Sequence, residues 1–111
     1  MQLNLKTINK TLIVSAFGEI DHHTSEEVRD KIDRYIDASS ARNIIFDFTG
    51  VSFMDSAGIG VIIGRYKKIS PLGGKFAVTG ANAQVKRIIE ISGILKIARY
   101  YDNVDIALSN M

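Results

Sequence analysis

The segment from residue 52 to residue 67 places one hydroxyl among small side chains. Ser56 follows Asp55 and precedes Gly58 and Gly60, where a helix is predicted to begin. A hydroxyl at a helix start can accept a hydrogen bond from the first free backbone N–H groups. Those groups, with the positive helix terminus, also favour a phosphate by about 0.3–1 kcal/mol. The glycines would let another protein's active site approach the hydroxyl.

Spacing alone leaves two interpretations of this segment open. A serine at the start of a helix is most often a cap, and glycines in a helix often mark tight packing against a sheet. Gly58, Gly60 and Gly64 do not form a dinucleotide-binding fingerprint, because the third glycine comes one residue late and all three follow the helix start. No Gly-Lys-Ser or Gly-Lys-Thr is present, so a phosphate-binding P-loop is excluded.

A second group of polar residues, Asp21, His22 and His23, is the only other candidate for chemistry. An aspartate and two histidines are typical of metal or general-base sites. Adjacent residues point in different directions, however, and the chain has no third histidine. We therefore predict no catalytic residue, no metal and no cofactor, and we expect the protein not to be an enzyme.

Alternating strand and helix patterns position these residues. The Asn9-Lys10 pair predicts a turn between two strands, and Gly18 is expected to end the second strand. Thr24 and Glu27 have capping-box spacing before a helix. A third helix is predicted between Asn82 and Gly93. In chain order we predict strands at 3–8 and 12–17, a helix at 25–38, a strand at 43–48, a helix at 57–69, a strand at 75–79, the helix after residue 82, a strand at 97–100 and a helix at 103–108.

This order predicts an α/β fold of one domain spanning residues 1–111. The opening hairpin makes the β-sheet mixed, and the strand–helix alternation that follows makes its later part parallel, with helices packed against it. A chain of 111 residues is enough for one hydrophobic core and too short for two.

Composition excludes several functional classes. The absence of cysteine excludes disulfides, thiolate zinc sites and a catalytic thiol, and it fits a reducing cytoplasm. The net charge is +2 and the basic residues are dispersed, so we expect no direct contact with nucleic acid. The N-terminal residues do not form a signal peptide, and no apolar run approaches the ~20 residues of a membrane span. We expect a cytoplasmic protein that does not contact a membrane.

Two stretches carry a resemblance to a known family. Residues 18–24 read Gly-Glu-Ile-Asp-His-His-Thr, and residues 53–67 read Phe-Met-Asp-Ser-Ala-Gly-Ile-Gly-Val-Ile-Ile-Gly-Arg-Tyr-Lys. With Val85-Lys86-Arg87 and Ser92-Gly93, they resemble the bacterial anti-sigma factor antagonists of the STAS-domain family. The resemblance is greatest to the sporulation branch, which acts in the sigma-F pathway. It implies a STAS-like fold over nearly the whole chain.

The resemblance also implies a function. In this family, the serine of an Asp-Ser-x-Gly element is phosphorylated by a serine protein kinase that is also the anti-sigma factor and binds ATP or ADP. The matching residue is Ser56, and Ala57 replaces a second serine that the family often has. The unphosphorylated form would bind this kinase and release a sporulation sigma factor, until phosphorylation stops binding and a phosphoserine phosphatase restores it.

The same resemblance suggests which residues meet the partner. It implies that the loop holding Asp21 lies beside the serine, where Asp21 would hydrogen-bond the hydroxyl or contact the kinase. The other candidate contacts belong to the phosphorylated segment itself: Asp55, Gly58, Ile59 and Gly60. An alternative function for the same fold is a nucleotide or small-ligand binding module, although no residue here specifies a base.

Overall fold

Five strands form one mixed sheet with four flanking helices in the computed structural model, which describes residues 1–111. The strands lie side by side in chain order: β1 (Gln2–Ile8), β2 (Thr11–Ile20), β3 (Asn43–Met54), β4 (Phe76–Thr79) and β5 (Arg99–Tyr101). The helices are α1 (Ser25–Ala38), α2 (Ser56–Ile69), α3 (Ala83–Ser92) and α4 (Val104–Ser109). Short 3₁₀ turns at Ser70–Leu72 and Ile94–Lys96 follow α2 and α3.

The connections determine the strand directions. β1 and β2 are antiparallel and are joined by a tight turn in which Asn9 has a φ of 54°, a left-handed conformation that asparagine tolerates. Each later pair of neighbouring strands is parallel and is connected through one of the helices α1, α2 and α3, as parallel pairing requires. The predicted mixed sheet with an opening hairpin is confirmed.

The main core lies on one face of the sheet. Alternate residues of β2 (Leu12, Val14, Ala16) point into it and are buried. The predicted apolar face of α1 is confirmed, because Val28 and Ile32 are fully buried at helical spacing in the same core. Helices α2 and α3 pack on this face too, whereas α4 covers part of the opposite face through a small cluster of Ile13, Ile45, Ala77 and Ala107.

Two expectations about the strands are wrong. Gly18 does not end β2, which continues to Ile20; instead its φ of +104° accompanies a shift in register against β3. β3 extends to Met54 rather than ending near residue 48. The last residues of β2 pair with this added part of β3, as far as the pair Ile20–Met54. The two extended strands therefore bring the loop holding Asp21 and the segment holding Ser56 to the same end of the sheet.

The predicted capping box of α1 is also wrong. Thr24 occupies the position before the helix, but its side chain makes no cap hydrogen bond. Its hydroxyl donates to the carbonyl of Glu19 at 2.9 Å and accepts from the Asp21 backbone N–H at 3.0 Å. The hydroxyl stabilises the loop before the helix rather than the helix itself.

Two ion pairs join α1 to α2, one shielded from water and one exposed. Nε of Arg65 lies 2.9 Å from Oδ1 of Asp33, and the two side chains are only 8% and 27% exposed. Burial lowers the pKa of Arg65, and Asp33 opposes that effect. The contact is an ion pair without hydrogen-bond alignment, and neither Nε nor Nη1 of Arg65 has a hydrogen-bond acceptor in the protein. The second pair, Lys68 with Asp37 at 2.8 Å, is mostly exposed.

These pairs predict unequal losses of stability. Asp33→Ala leaves the Arg65 guanidinium buried without its counter-charge, so we expect the free energy of unfolding to fall by about 2–3 kcal/mol. Asp37→Ala removes an exposed pair on the same helix and should cost less than about 1 kcal/mol. Urea unfolding of the wild-type protein and both variants measures the two losses in the free energy of unfolding. Equal losses would contradict the buried character of the Arg65 pair.

Candidate functional site

Ser56 stands where β3 passes into α2. Met54, the last residue of β3, is fully buried, and the Asp55 backbone N–H donates to the carbonyl of Ile20 at 3.3 Å. The chain turns outward from this anchored strand end, so Ser56 is the first residue of α2 and its side chain is exposed. The phosphoacceptor candidate is thus presented to solvent by a rigid strand–helix junction.

The helix cap is Asp55, not Ser56. Oδ1 of Asp55 accepts hydrogen bonds from the backbone N–H groups of Ala57 at 2.9 Å and Gly58 at 3.3 Å. Aspartate and serine are similarly good caps, which is why spacing could not distinguish them. The interpretation of Ser56 as a cap is wrong, and its hydroxyl has no hydrogen-bond partner in the protein.

The second oxygen of Asp55 holds the β2–α1 loop. Oδ2 accepts from the His22 backbone N–H at 3.2 Å and lies 3.5 Å from Nδ1 of the same residue. The rings of His22 and His23 are 3.9 Å apart. His22 is therefore a neighbour of the candidate site that sequence reasoning missed, because the spacing of the Asp21–His23 group argued only against metal binding. No group of acidic, histidine or cysteine side chains in the protein could hold a metal ion.

These contacts keep Asp55 charged. Burial raises the pKa of Asp55, but the backbone N–H groups of Gly58, Ala57 and His22, with the His22 side chain, outweigh burial and leave the pKa below its ordinary value. A carboxylate that accepts several N–H donors is stabilised in its ionised form. Ser56 therefore lies next to a permanent negative charge at neutral pH.

Asp21 is used within its own loop. Its Oδ1 accepts from the backbone N–H groups of His23 at 2.9 Å and Thr24 at 3.2 Å. The expectation that this loop lies beside the serine agrees with the His22–Asp55 contact, but the Ser56 hydroxyl does not hydrogen-bond Asp21. Asp21 is half-buried, and its remaining oxygen Oδ2 accepts no hydrogen bond.

The two glycines after Ser56 have different environments. A Cβ on Gly58 would come within 2.3 Å of Cγ of Met54 and 2.8 Å of the Ile20 carbonyl oxygen, so this buried glycine permits the helix to pack closely on the strand ends. The idea that Gly58 opens an approach for a partner is wrong, because the missing side chain faces inward. A Cβ on Gly60 would meet nothing within 4 Å, and Gly60 is exposed.

Ile59 lies between these glycines in sequence. It is partly buried and packs against the main core. Of the segment 58–60, only Gly60 and the outer part of Ile59 remain available at the surface.

Alanine substitutions should separate the two glycines. Gly58→Ala forces Met54 and the Ile20 carbonyl apart, and we expect a net loss of about 1–3 kcal/mol in the free energy of unfolding. Gly60→Ala meets no atoms and removes a flexible residue from a helix, so it should stabilise by about 0.5–1 kcal/mol. Thermal unfolding monitored by circular dichroism tests both. A stabilised Gly58→Ala protein would show that the packing is not tight.

The Asp55 contacts predict a pH dependence. Because the folded state lowers its pKa, the charge of Asp55 stabilises the protein above the ordinary value of about 3.8, and this contribution is lost as pH falls through the lower folded value. Asp55→Asn keeps a capping oxygen without the charge, so its stability deficit relative to wild type should shrink below about pH 4.

Asp55→Ala is the matched control for this measurement. Alanine cannot cap the helix, so this variant should lose about 1 kcal/mol even where the carboxylate is protonated. Urea unfolding at a series of pH values measures all three proteins. A difference in the free energy of unfolding between wild type and Asp55→Asn that stays constant from neutral to acid pH would contradict the lowered pKa of Asp55.

Comparisons with known proteins identify the family of this chain. The STAS domain family model matches residues 2–107. An anti-sigma F factor antagonist from Paenibacillus polymyxa is 40% identical over 111 residues, covering all of this chain and 95% of that protein. An anti-sigma F factor antagonist from Lysinibacillus sphaericus is 32% identical over 93 residues, covering 84% of this chain and 79% of that protein.

Solved structures give the same result. The unphosphorylated anti-sigma factor antagonist SpoIIAA superposes with a TM-score of 0.85 at 27% identity, covering 98% of this chain and 95% of that one. The phosphorylated form of SpoIIAA, a Bacillus cell fate determinant, superposes with a TM-score of 0.76 at 26% identity, covering 98% of both chains. None of the four helices has the length and apolar character of a membrane span. With its mixed sheet and its exposed serine at the β3–α2 junction, this chain belongs to the STAS domain family, among the anti-sigma factor antagonists.

Proposed function

We propose that this protein regulates transcription by binding an anti-sigma factor that is also a serine protein kinase, and that phosphorylation of Ser56 stops this binding. The observation that carries the proposal is the free, exposed Ser56 hydroxyl at the first residue of α2, with Asp55 capping the helix in its place. A hydroxyl without internal hydrogen bonds is available to a kinase without any cost in local structure.

Charge provides the switching mechanism. Phosphorylation adds about −1.5 to −2 charge at pH 7, directly beside the ionised Asp55. A partner carboxylate ~5 Å from the phosphate would experience about 3 kcal/mol of repulsion per charge at an effective dielectric of about 20. That repulsion corresponds to roughly a hundredfold loss of affinity.

The fold is expected to survive this modification. Asp55 already accepts hydrogen bonds from two of the first backbone N–H groups of α2. The helix terminus therefore stabilises a phosphate on Ser56 less than an uncapped helix terminus would. The Ser56 side chain makes no internal contact that a phosphate would break, and it points into solvent. Phosphorylation therefore acts at the contact surface rather than by unfolding the domain.

The proposed contact surface combines α2 with the neighbouring loop. Gly60 and the outer part of Ile59 are accessible next to Ser56, while Asp21 and Asp55 supply negative charge. Gly58 supports this surface from beneath.

The regulatory cycle involves further partners. The kinase that binds this protein would carry ATP or ADP, and a sporulation sigma factor would be released. A phosphoserine phosphatase would regenerate the binding form. We place this cycle in the cytoplasm, where sigma factors meet RNA polymerase.

Substitution of the serine tests this proposal. Ser56→Ala removes the only acceptor in the motif, so the variant should bind the kinase continuously and should not be labelled in the presence of ATP. The affinity for the kinase, measured by calorimetry in the presence of ADP, should stay within about threefold of wild type, because removal of one exposed hydroxyl leaves the fold and the surface charge unchanged. Mass spectrometry of the wild-type protein should place the phosphate on Ser56.

Ser52→Ala is the matched control. Ser52 is an exposed serine on β3, four residues before Ser56, and its removal should leave labelling unchanged. Phosphate found on Ser52, or full labelling of Ser56→Ala, would refute the assignment of the acceptor. Failure of the unphosphorylated protein to bind any anti-sigma factor kinase of its organism would refute the function itself.

A further inference from the structure

A groove lies at the end of the sheet opposite to Ser56. The parallel strands carry Ser56 beyond the end of β3, whereas the groove opens beside Phe76, where β4 begins. Its volume is about 670 Å³, within the range of small-molecule sites. α2 reaches both ends of the sheet, because its residue Tyr66 lines the groove.

The groove exists because β5 is short. β5 pairs only with residues 77–79 of β4, so no strand covers the edge at Phe76. The chain passes this edge instead as the 3₁₀ turn containing Leu95, followed by the turn at Ile97 and Ala98. The ring of Tyr66 meets that of Phe76 edge-on, with centroids 6.2 Å apart, and closes the groove on the α2 side. Tyr101 lines it from β5.

The lining is chemically uneven. Eight of the thirteen residues that line the groove are hydrophobic. The charged side chains in the lining are those of Lys75, Lys96 and Arg99, and no aspartate or glutamate lines the groove. None of the three cations pairs with a carboxylate side chain. Lys75 donates to the backbone carbonyl of Asn110 at 3.4 Å, which holds its ammonium near the groove.

This combination specifies the class of ligand. Aromatic and aliphatic walls favour an apolar body, and unpaired cations at the rim favour an anionic head. Leu95 is 41% exposed although it is hydrophobic, so a ligand here would cover a side chain that the fold leaves open. We propose that this groove binds a small amphipathic anion, a single carboxylate or phosphate head on an apolar body. The site is independent of the proposed function at Ser56.

Two amphiphiles with different heads test the proposal directly. Decanoate and decyl phosphate, each below its micelle concentration, are titrated into isotopically labelled protein and followed by amide chemical shifts. We expect saturable shifts at residues 75–77 and 95–99. Binding of either anion supports the site, and the tighter of the two identifies the head group. Inorganic phosphate alone should bind at least about tenfold more weakly, because it lacks the apolar body.

Charge reversal and a cationic probe provide the controls. Lys96→Glu combined with Arg99→Glu should weaken binding of the anions by about tenfold or more. The same charge change at Lys6 of β1 and Arg34 of α1, two exposed residues that do not line the groove, should alter affinity by no more than about twofold. Salt screens exposed charges separated by more than about 10 Å, and β1 lies three strands away from β4.

Three results would overturn the site. Binding of decyltrimethylammonium as tightly as decanoate would show that the cationic side chains of the groove play no part in binding. This measurement uses the wild-type protein alone. Equal weakening by both charge-reversed pairs would show only a response to net charge. Absence of saturable shifts around the groove would show that no amphipathic anion binds there.

Discussion

One carboxylate connects the elements on which the candidate site depends. The two oxygens of Asp55 accept from groups far apart in sequence, Oδ1 from the first turn of α2 and Oδ2 from the loop after β2. A single side chain thereby fixes where the helix begins and where the β2–α1 loop lies. Because Asp55 performs the capping, the adjacent hydroxyl of Ser56 is not used by the helix.

Close packing underneath makes this arrangement rigid. Gly58 brings α2 against Met54 and the carbonyl of Ile20, at the point where the extended ends of β2 and β3 pair. The Arg65–Asp33 pair holds the middle of α2 against α1. The helix is thus fixed at its start by hydrogen bonds and farther along by a shielded ion pair, which keeps the orientation of its exposed face constant.

The order and type of the elements could be predicted from sequence, because apolar periodicity and turn residues report burial and chain reversal directly. The helix caps were harder to predict, because they depend on choices between neighbouring polar residues. Asp55 and Ser56 are equally plausible caps, and Thr24 satisfies a capping pattern although its hydroxyl turns to Glu19. Such choices are decided by long-range contacts, here between His22 and Asp55, which no local pattern contains. For the same reason, the sequence could not distinguish the inward-facing Gly58 from the open Gly60.

The free hydroxyl of Ser56 has an evolutionary consequence. A hydroxyl without internal hydrogen bonds can be exchanged with little effect on stability, so under the proposed function selection would act on this position through signalling. Regulation by phosphate could then be lost, or replaced by a fixed acidic side chain, in a single substitution. Its neighbour Asp55 is more constrained, because its side chain holds both the start of a helix and the β2–α1 loop. Under the proposed function, adjacent positions in this chain would therefore evolve under different constraints, one set by the partner and the other by the fold.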